Sequence, residues 1–189
     1  MAYRNGNYAA FYVEEPFNKN NLGPHEKKDF VSYNLLRAWK KDDSSFPFID
    51  SHEKNYNVRD GSNWETTLKP RIQERLNNSK NIILFLSSIT KKSRALREEI
   101  CFGIDNNDLP VIVVYPEYKE KSDIINCQNE TIKPKIKNLW DNLPTFRDRV
   151  NAVPTLHIPY KKDLIRSALK DSDLYAQSAK SPGIYFYKC

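Results

Sequence analysis

Two adjacent glutamates, Glu98 and Glu99, are the acidic residues best placed for chemistry in this sequence of 189 residues. They belong to a predicted helix whose apolar stripe includes Leu96 and Ile100, and side chains on a helix turn by about 100° per residue. Glu98 is expected to point away from that stripe into water, whereas Glu99 lies at its edge, beside the core. A carboxylate in that place can act on a ligand, or it can form an ion pair with a neighbouring arginine. The residues alone leave both interpretations open.

Two short apolar segments flank this helix. Residues 82–86 and 111–115 are apolar at every position and rich in β-branched side chains, which is typical of strands buried on both faces. A helix between two such strands predicts a right-handed βαβ unit of a parallel sheet. Open α/β sheets bind ligands beyond the carboxyl ends of their strands. Glu99 is expected within a turn or two of the end of the first strand, so it is the candidate functional carboxylate.

The rest of the chain continues the alternation of strands and helices. Further strands are predicted at residues 8–13, 46–49 and 153–158, and further helices at residues 26–40, 62–76 and 161–170. Together with the central unit, these elements predict an α/β fold of the flavodoxin-like type. Such a fold is a three-layer sandwich around a central, mostly parallel sheet, here of about five strands.

Two of the predicted helices carry clear signals. The packed face of the helix at residues 26–40 is expected to comprise Val31, Leu35, Ala38 and Trp39. The next helix is expected to start at the capping box formed by Ser62 and Glu65. Pro70 should kink that helix or delay its true start, because proline lacks the backbone N–H that a helix interior needs.

The composition of the sequence argues against several classes of function. The net charge is +6, but the basic residues are scattered doublets rather than one patch, so nucleic-acid binding is not expected. Cys101, Cys127 and Cys189 are widely spaced and indicate neither a disulfide framework nor a zinc site. The three histidines have no metal-ligand spacing. No segment is apolar enough to span a bilayer or to act as a secretory signal, so we expect a cytoplasmic protein.

Several segments, taken in order, resemble a known family. They are residues 62–65, 68–72, 93–100 and 109–113. This succession resembles the TIR-like proteins of bacterial Thoeris anti-phage defence systems, over roughly residues 8–170. In that family the third helix carries the pattern Ser-x-Trp-Val-x-x-Glu-Ile. Ser93 and Ile100 align with its ends and Glu99 with its glutamate, whereas Ala95 stands at the tryptophan position and removes an aromatic wall.

The resemblance implies an activity and a set of partners. Glu99 aligns with the glutamate that the family uses to cleave NAD, so NAD is expected as substrate, with no resident cofactor and no metal. The implied product is an ADP-ribose-derived signal, hydrolysed or cyclic, that acts on a separate effector protein. Self-association is expected to complete the site. Residues 1–170 would form the TIR-like domain, and residues 171–189 a tail that adds an edge strand or docks on a partner.

The resemblance also suggests which residues would bind NAD. Aromatic side chains would stack on its rings, hydroxyls would lie at the rim of the sheet, and arginines would pair with the pyrophosphate. In that order the candidates are Phe11, Tyr12 and Trp64, then Ser87 and Ser88, then Arg94 and Arg97.

Two other classes of function stay open at this point. TIR-like folds also serve as non-catalytic scaffolds or interaction modules, in which Glu99 would pair with Arg94 or another basic residue and Ala95 would be tolerated. Nucleoside deoxyribosyltransferases share this general architecture and use a catalytic glutamate, so base exchange is the third hypothesis. Release of nicotinamide from NAD would separate the first hypothesis from the other two.

Overall fold

A parallel sheet with helices on both faces organises the chain in a computed structural model, which describes residues 4–12, 26–52 and 63–189. The strands are β1 (Gly6–Ala10), β2 (Ser79–Phe85), β3 (Val111–Tyr115), β4 (Ile125–Asn126), β5 (Thr131–Ile132), β6 (Pro154–Pro159) and β7 (Gly183–Phe186). The helices are α1 (Glu26–Asp42), α2 (Lys69–Asn77), α3 (Arg94–Cys101), α4 (Lys121–Ile124), α5 (Pro134–Trp140), α6 (Pro144–Arg147) and α7 (Lys162–Lys170). Wide π-type turns, Trp64–Leu68 and Phe102–Asn106, precede α2 and follow α3.

The central sheet is all parallel, in the order β1-β2-β3-β6-β7. Its middle strands, β2 and β3, are buried along their whole length, as their apolar sequences predict. Tyr8 and Ile82 belong to the core on the side of α2 and α3, which we call the α3 face, and Ala9 and Ile83 to the core on the side of α1 and α7, the α1 face. The flavodoxin-like α/β fold is confirmed. Val13, the last residue predicted for the first strand, lies outside the described residues.

The strand predicted at residues 46–49 does not form. This segment runs beside β1, but the strand-type bridge at this edge joins Asp50 to Asn7. The Asn7 N–H also donates to the Ile49 carbonyl at 2.6 Å. Pro47 has no N–H to donate, so a longer ladder is not available here. The fifth strand of the sheet is β7, at the opposite edge.

Helix α1 forms near its predicted place but packs through a different face. Of the four residues expected to pack, Val31 and Leu35 are 52% and 38% exposed, Ala38 is exposed as well, and Trp39 packs partly buried against the core. Tyr33 is buried instead, and its hydroxyl donates to Asp50 Oδ2 at 2.7 Å. Burial of this ring and its hydrogen bond therefore decide the rotation of the helix.

The start of α2 agrees with its sequence signals in part. Ser62, the expected cap, lies outside the described residues, and the side-chain oxygen of Asn63 accepts from the Thr66 N–H at 3.1 Å. The chain then makes one wide turn before α2 begins at Lys69. Pro70 falls in the first turn of α2, where its missing N–H costs no hydrogen bond, so the delayed start is confirmed.

The carboxyl-terminal part of the chain extends the sheet on the side opposite β1. There β7 pairs with β6 in parallel register. A disulfide joins Cys127, next to β4, to Cys189, 62 positions away. The expectation of no disulfide is therefore wrong, because the fold brings together two cysteines whose spacing gives no sign of pairing. Cys101, on α3, is a free thiol.

Candidate active site

Helix α3 positions the candidate carboxylate, Glu99. The helix is capped by Ser93, whose hydroxyl oxygen accepts from the Leu96 N–H at 3.0 Å and so satisfies one free amide of the first turn. Leu96 and Ile100 are fully buried against the sheet. Glu99 lies beside them, half-buried, at the edge of the packed face, as predicted.

The hydroxyl of Tyr8 binds Glu99 directly. Tyr8 is fully buried in the middle of β1, and its O–H donates to Glu99 Oε1 across 2.8 Å. Tyr8 was not among the residues predicted for the site. The available signal was the alternation of side chains along a strand, which places Tyr8 and Tyr12 on the same face of the sheet. The bond itself is a tertiary contact between residues 91 positions apart.

Tyr8 stays protonated throughout the physiological pH range. Burial raises the pKa of Tyr8 well above its ordinary value of 10, and the charge of Glu99 and the hydrogen bond to it raise that pKa further. The positive charge of Arg75 opposes the shift without cancelling it. The phenol is therefore a permanent hydrogen-bond donor to the carboxylate.

His52 binds the edge strand β1 at Ala9 and packs against the Tyr8 ring. Its Nε2 lies 3.0 Å from Ala9 O, and Arg75 Nη1 lies 3.3 Å from its Nδ1. Because arginine can only donate, Nδ1 is the acceptor and Nε2–H donates to Ala9 O. Burial, followed by the charge of Arg75, lowers the pKa of His52 to about 4, so the ring is neutral near pH 7. The centres of the His52 and Tyr8 rings are 4.6 Å apart.

The neighbouring glutamate does not point into open water as predicted. Glu98 is half-buried, and Gln73 Nε2 of α2 donates to its Oε1 at 2.7 Å. The reason is that α2 lies beside α3 and covers a helix face that an isolated βαβ unit would expose. Glu98 thus links two helices, whereas Glu99 is bound to the sheet.

The wide turn before α2 contacts the first turn of α3 through an aromatic ring and an ion pair. The Arg94 guanidinium lies 4.5 Å from the centre of the Trp64 ring, and its Nη2 lies 2.8 Å from Glu65 Oε1. Arg94, which the scaffold hypothesis considered as a partner of Glu99, therefore forms this ion pair with Glu65. Arg97, the other arginine predicted to bind pyrophosphate, is exposed.

This order of elements has a match among known protein families. The family model described as the TIR-like domain of the Thoeris protein ThsB matches residues 8–121 of the 189-residue chain, which is more than half of it. The chain belongs to this family. The match confirms the resemblance seen in the sequence and gives the chain a role in anti-phage defence. The matched segment contains Tyr8, His52, Trp64 and Glu99, and it ends before β6, β7 and the disulfide.

In the TIR-like domain, Phe11 and Tyr12 lie on opposite faces of the sheet. The Phe11 ring stacks on Tyr33 of α1, with the ring centres 5.1 Å apart. Tyr12 is buried in the core of the α3 face. Of these two aromatic side chains, both predicted to stack on NAD, Tyr12 therefore lies on the side of Glu99 and Phe11 does not.

The serines beyond β2 bind other protein groups. Ser87 Oγ donates to Asp29 Oδ1 of α1 at 3.1 Å, and Ser88 binds the Glu117 carboxylate through both its N–H and its hydroxyl. Burial raises the pKa of Asp29 to about 6, because ionisation of a buried carboxyl is penalised. Sequence reasoning missed Asp29, since an aspartate in an amphipathic helix is normally exposed.

The described part of the TIR-like domain thus groups Tyr8, Tyr12, Trp64 and Glu99 on the α3 face. The other aromatic candidate and the first serine contact α1 instead. Within residues 4–12, 26–52 and 63–189, no three histidine, cysteine, aspartate or glutamate side chains come together as a metal site would require. In these same ranges, none of the helices has the length and apolar character to cross a membrane.

Proposed function

We propose that this TIR-like domain breaks the bond between nicotinamide and ribose in NAD, with Glu99 as the catalytic carboxylate. The observation that carries the proposal is the position of Glu99, which is half-buried at the edge of α3 with one oxygen held at 2.8 Å by Tyr8. A carboxylate fixed at the boundary between core and solvent can act on a positive charge that develops in a ligand. Membership of the TIR-like family supports NAD as that ligand.

The chemistry needs only one acidic group. The nicotinamide nitrogen of NAD already carries a positive charge. When the bond from ribose C1′ to this nitrogen breaks, the electron pair leaves with nicotinamide, which departs as a neutral molecule and needs no proton from a general acid. Ribose C1′ then takes on oxocarbenium character, as in glycoside hydrolysis, and the Glu99 carboxylate would stabilise this cation electrostatically.

The surroundings of Glu99 suit this role. Partial burial lowers the local dielectric, so a charge–charge interaction is stronger there than in bulk water. Trp64, partly buried on the same face of the sheet, would offer ring surface for nicotinamide or adenine, whereas Tyr12 is buried in the core of that face. Ala95, one helical turn before Glu99, is partly buried against the core and presents only a methyl group where the family pattern has a tryptophan.

Three acceptors can capture the cation. Water gives ADP-ribose and releases a proton, a nitrogen or hydroxyl of the same molecule gives a cyclic isomer, and a foreign base gives exchange. We propose that the ADP-ribose derivative is a signal for a separate effector protein in anti-phage defence, and that self-association of the domain completes the site. NAD is consumed as a substrate, and the proposal involves no resident cofactor.

Release of nicotinamide from NAD by the full chain, at low and at high protein concentration, tests the proposal. We expect Glu99→Gln to lower the rate by about 100-fold or more, since loss of one preorganised electrostatic group costs about 10²- to 10³-fold. Glu98→Gln is the matched control, because it neutralises the adjacent carboxylate while a glutamine there can still bind Gln73. Its rate should stay close to that of the wild type. Equal rates for the two variants, or no release by the wild type at either concentration, would contradict the proposal.

Exposed apolar residues on α1 support a second candidate function, that of a non-catalytic interaction module. Val31 and Leu35, which share one helix face, are 52% and 38% exposed. A wild-type chain that releases no nicotinamide but associates through this face would favour the module. Sedimentation of the wild type beside Val31→Lys and Leu35→Lys measures that association. Turnover of deoxynucleosides without turnover of NAD would instead favour a base-exchange enzyme.

A further inference from the structure

A catalytic glutamate needs a neighbour that fixes its carboxylate. The side chain of Glu99 has several rotatable bonds, so its charged end can occupy different positions unless another group holds it. Tyr8 supplies such a contact, with its O–H donating to Glu99 Oε1 at 2.8 Å. Hydrogen bonds to a charged acceptor are stronger than neutral ones and more demanding of geometry. The position of the Tyr8 hydroxyl therefore sets the position of the carboxylate.

Tyr8 is itself held in place. Its side chain is fully buried, and its ring packs against His52 with the ring centres 4.6 Å apart. His52 is bound from both sides, by the Ala9 carbonyl at 3.0 Å and by Arg75 at 3.3 Å. The hydroxyl cannot turn away from Glu99 without disturbing this edge of the sheet.

We infer that Tyr8 is the positioning residue for Glu99 in the cleavage of NAD, which it supports by holding the carboxylate in one orientation and in its ionised form. The inference rests on the proposed function. Because Tyr8 is fully buried within β1, its role is exerted through Glu99, and the substrate contacts Glu99 and not the phenol.

The bond affects protonation as well as geometry. A hydrogen bond donated to the charged form of a carboxyl favours that form, so loss of the Tyr8 hydroxyl should raise the pKa of Glu99. Among the described residues, the charged and titratable groups around this bond are Tyr8 on β1, Tyr33 on α1, Arg75 on α2, and His52 with Asp50 at the sheet edge, while Glu98 adjoins Glu99 on α3. Tyr8→Phe leaves all but the first of these unchanged, so a shift in that pKa can be assigned to the lost bond.

Tyr8→Phe in the full chain is the test, because phenylalanine keeps the buried ring and removes only the hydroxyl. Initial rates of nicotinamide release are measured over a range of NAD concentrations and of pH. We expect kcat to fall by about 10- to 100-fold with KM little changed, since a misplaced catalytic group costs up to about 100-fold. We also expect the acid limb of the kcat profile to move up by about one pH unit.

Tyr33→Phe is the matched control. Tyr33 is also buried, its hydroxyl also donates to a carboxylate, Asp50, at 2.7 Å, and its ring also lies against His52. The same substitution therefore removes a comparable hydrogen bond beside the same histidine. We expect kcat and its pH profile to match those of the wild type.

A readout that does not depend on turnover separates this inference from the proposed function. The pKa of the Glu99 carboxyl is measured by carbon NMR in the wild type, in Tyr8→Phe and in Tyr33→Phe, and a rise confined to Tyr8→Phe supports the inference. An unmoved pKa, or a kcat for Tyr8→Phe within twofold of the wild type, would overturn the role of Tyr8 and leave the NAD-cleaving function standing. A wild type that releases no nicotinamide would overturn the proposed function, and with it the role of Tyr8 in cleavage. This would hold even if Tyr8→Phe still raised the pKa of the Glu99 carboxyl.

Discussion

Two tyrosine–histidine pairs differ in where their hydrogen bonds lead, although both tyrosines, Tyr8 and Tyr115, lie on the α3 face of the central sheet. At the β1 edge, Tyr8 packs against His52 and donates to Glu99, a half-buried carboxylate. Between β3 and β6, Tyr115 and His157 are both buried, with the Tyr115 hydroxyl 2.7 Å from His157 Nδ1. Burial lowers the pKa of both histidines, to about 4 for His52 and about 3 for His157.

Hydrogen bonds link Trp140, Tyr115, His157 and Thr155 into a network, the Tyr115 network, whose partners all lie inside the protein. Trp140 Nε1–H donates to the Tyr115 hydroxyl at 2.9 Å, and that hydroxyl donates to His157. His157 Nε2 then lies 3.2 Å from Thr155 Oγ1, which donates to the Val150 carbonyl at 3.0 Å. Each donor meets an acceptor inside the fold, so the network stabilises the core and has no group to offer a ligand. The Tyr8 network ends at a carboxylate near the surface, which is what a functional site requires.

The largest effect should come from the disulfide on the β7 side. Replacing both Cys127 and Cys189 by serine should lower the free energy of unfolding by about 4 kcal/mol, because the crosslink spans 62 positions and limits the unfolded chain. Guanidinium unfolding without reductant measures this, and Cys101→Ser, which removes a free thiol, is the control. Release of nicotinamide by the double variant should persist at temperatures where it is folded. A loss of activity in the folded variant would show that the β1 edge and the β7 edge of the sheet are not independent.

Matched tyrosine substitutions compare the two networks directly. Tyr115→Phe leaves the buried Trp140 and His157 without their shared partner, and each unsatisfied group costs about 1–3 kcal/mol, so we expect a loss of about 2–4 kcal/mol. Tyr8→Phe should cost only about 1–2 kcal/mol, because it breaks a single hydrogen bond, to a residue that is only half-buried. Urea unfolding measures both. If the Tyr8 variant proves as unstable as the Tyr115 variant, the distinction between a structural and a functional network is lost.

As the pH is lowered, His52 should be protonated before His157. Each folded-state pKa lies below the ordinary value of 6.5, so below pH 6.5 the unfolded chain binds protons that the folded chain does not. Stability should fall with decreasing pH, by up to about 1.4 kcal/mol per pH unit for each histidine, down to about pH 4 for His52 and about pH 3 for His157. Unfolding at several pH values measures the slope, and NMR titration of the two rings measures the order. Protonation of His157 before His52 would reverse the comparison.

Local patterns in the sequence were sufficient for the framework of this domain. The uninterrupted apolar segments of β2 and β3 predicted a parallel sheet, and the helical wheel of α3 placed Glu99 at the edge of its packed face. The prediction that Pro70 would delay the start of α2 was also correct. These predictions depend on residues a few positions apart, whose relative directions are set by the geometry of a single helix or strand.

Other features were beyond such reasoning. The prediction of the face through which α1 packs was wrong. The contacts of Tyr33 with Asp50 and Phe11 outweigh the apolar periodicity of Val31 and Leu35. Glu98 was wrongly expected in water, because α2 covers it.

What the sequence alone determined is the class of fold, the identity of the candidate carboxylate and its helix. Only the tertiary structure decided that Tyr8 would hold Glu99, that His52 would hold Tyr8, and that Cys127 would meet Cys189. The reason is that each of these contacts joins residues far apart in the chain, and their partners are chosen by the way strands and helices pack rather than by the local preferences of either residue.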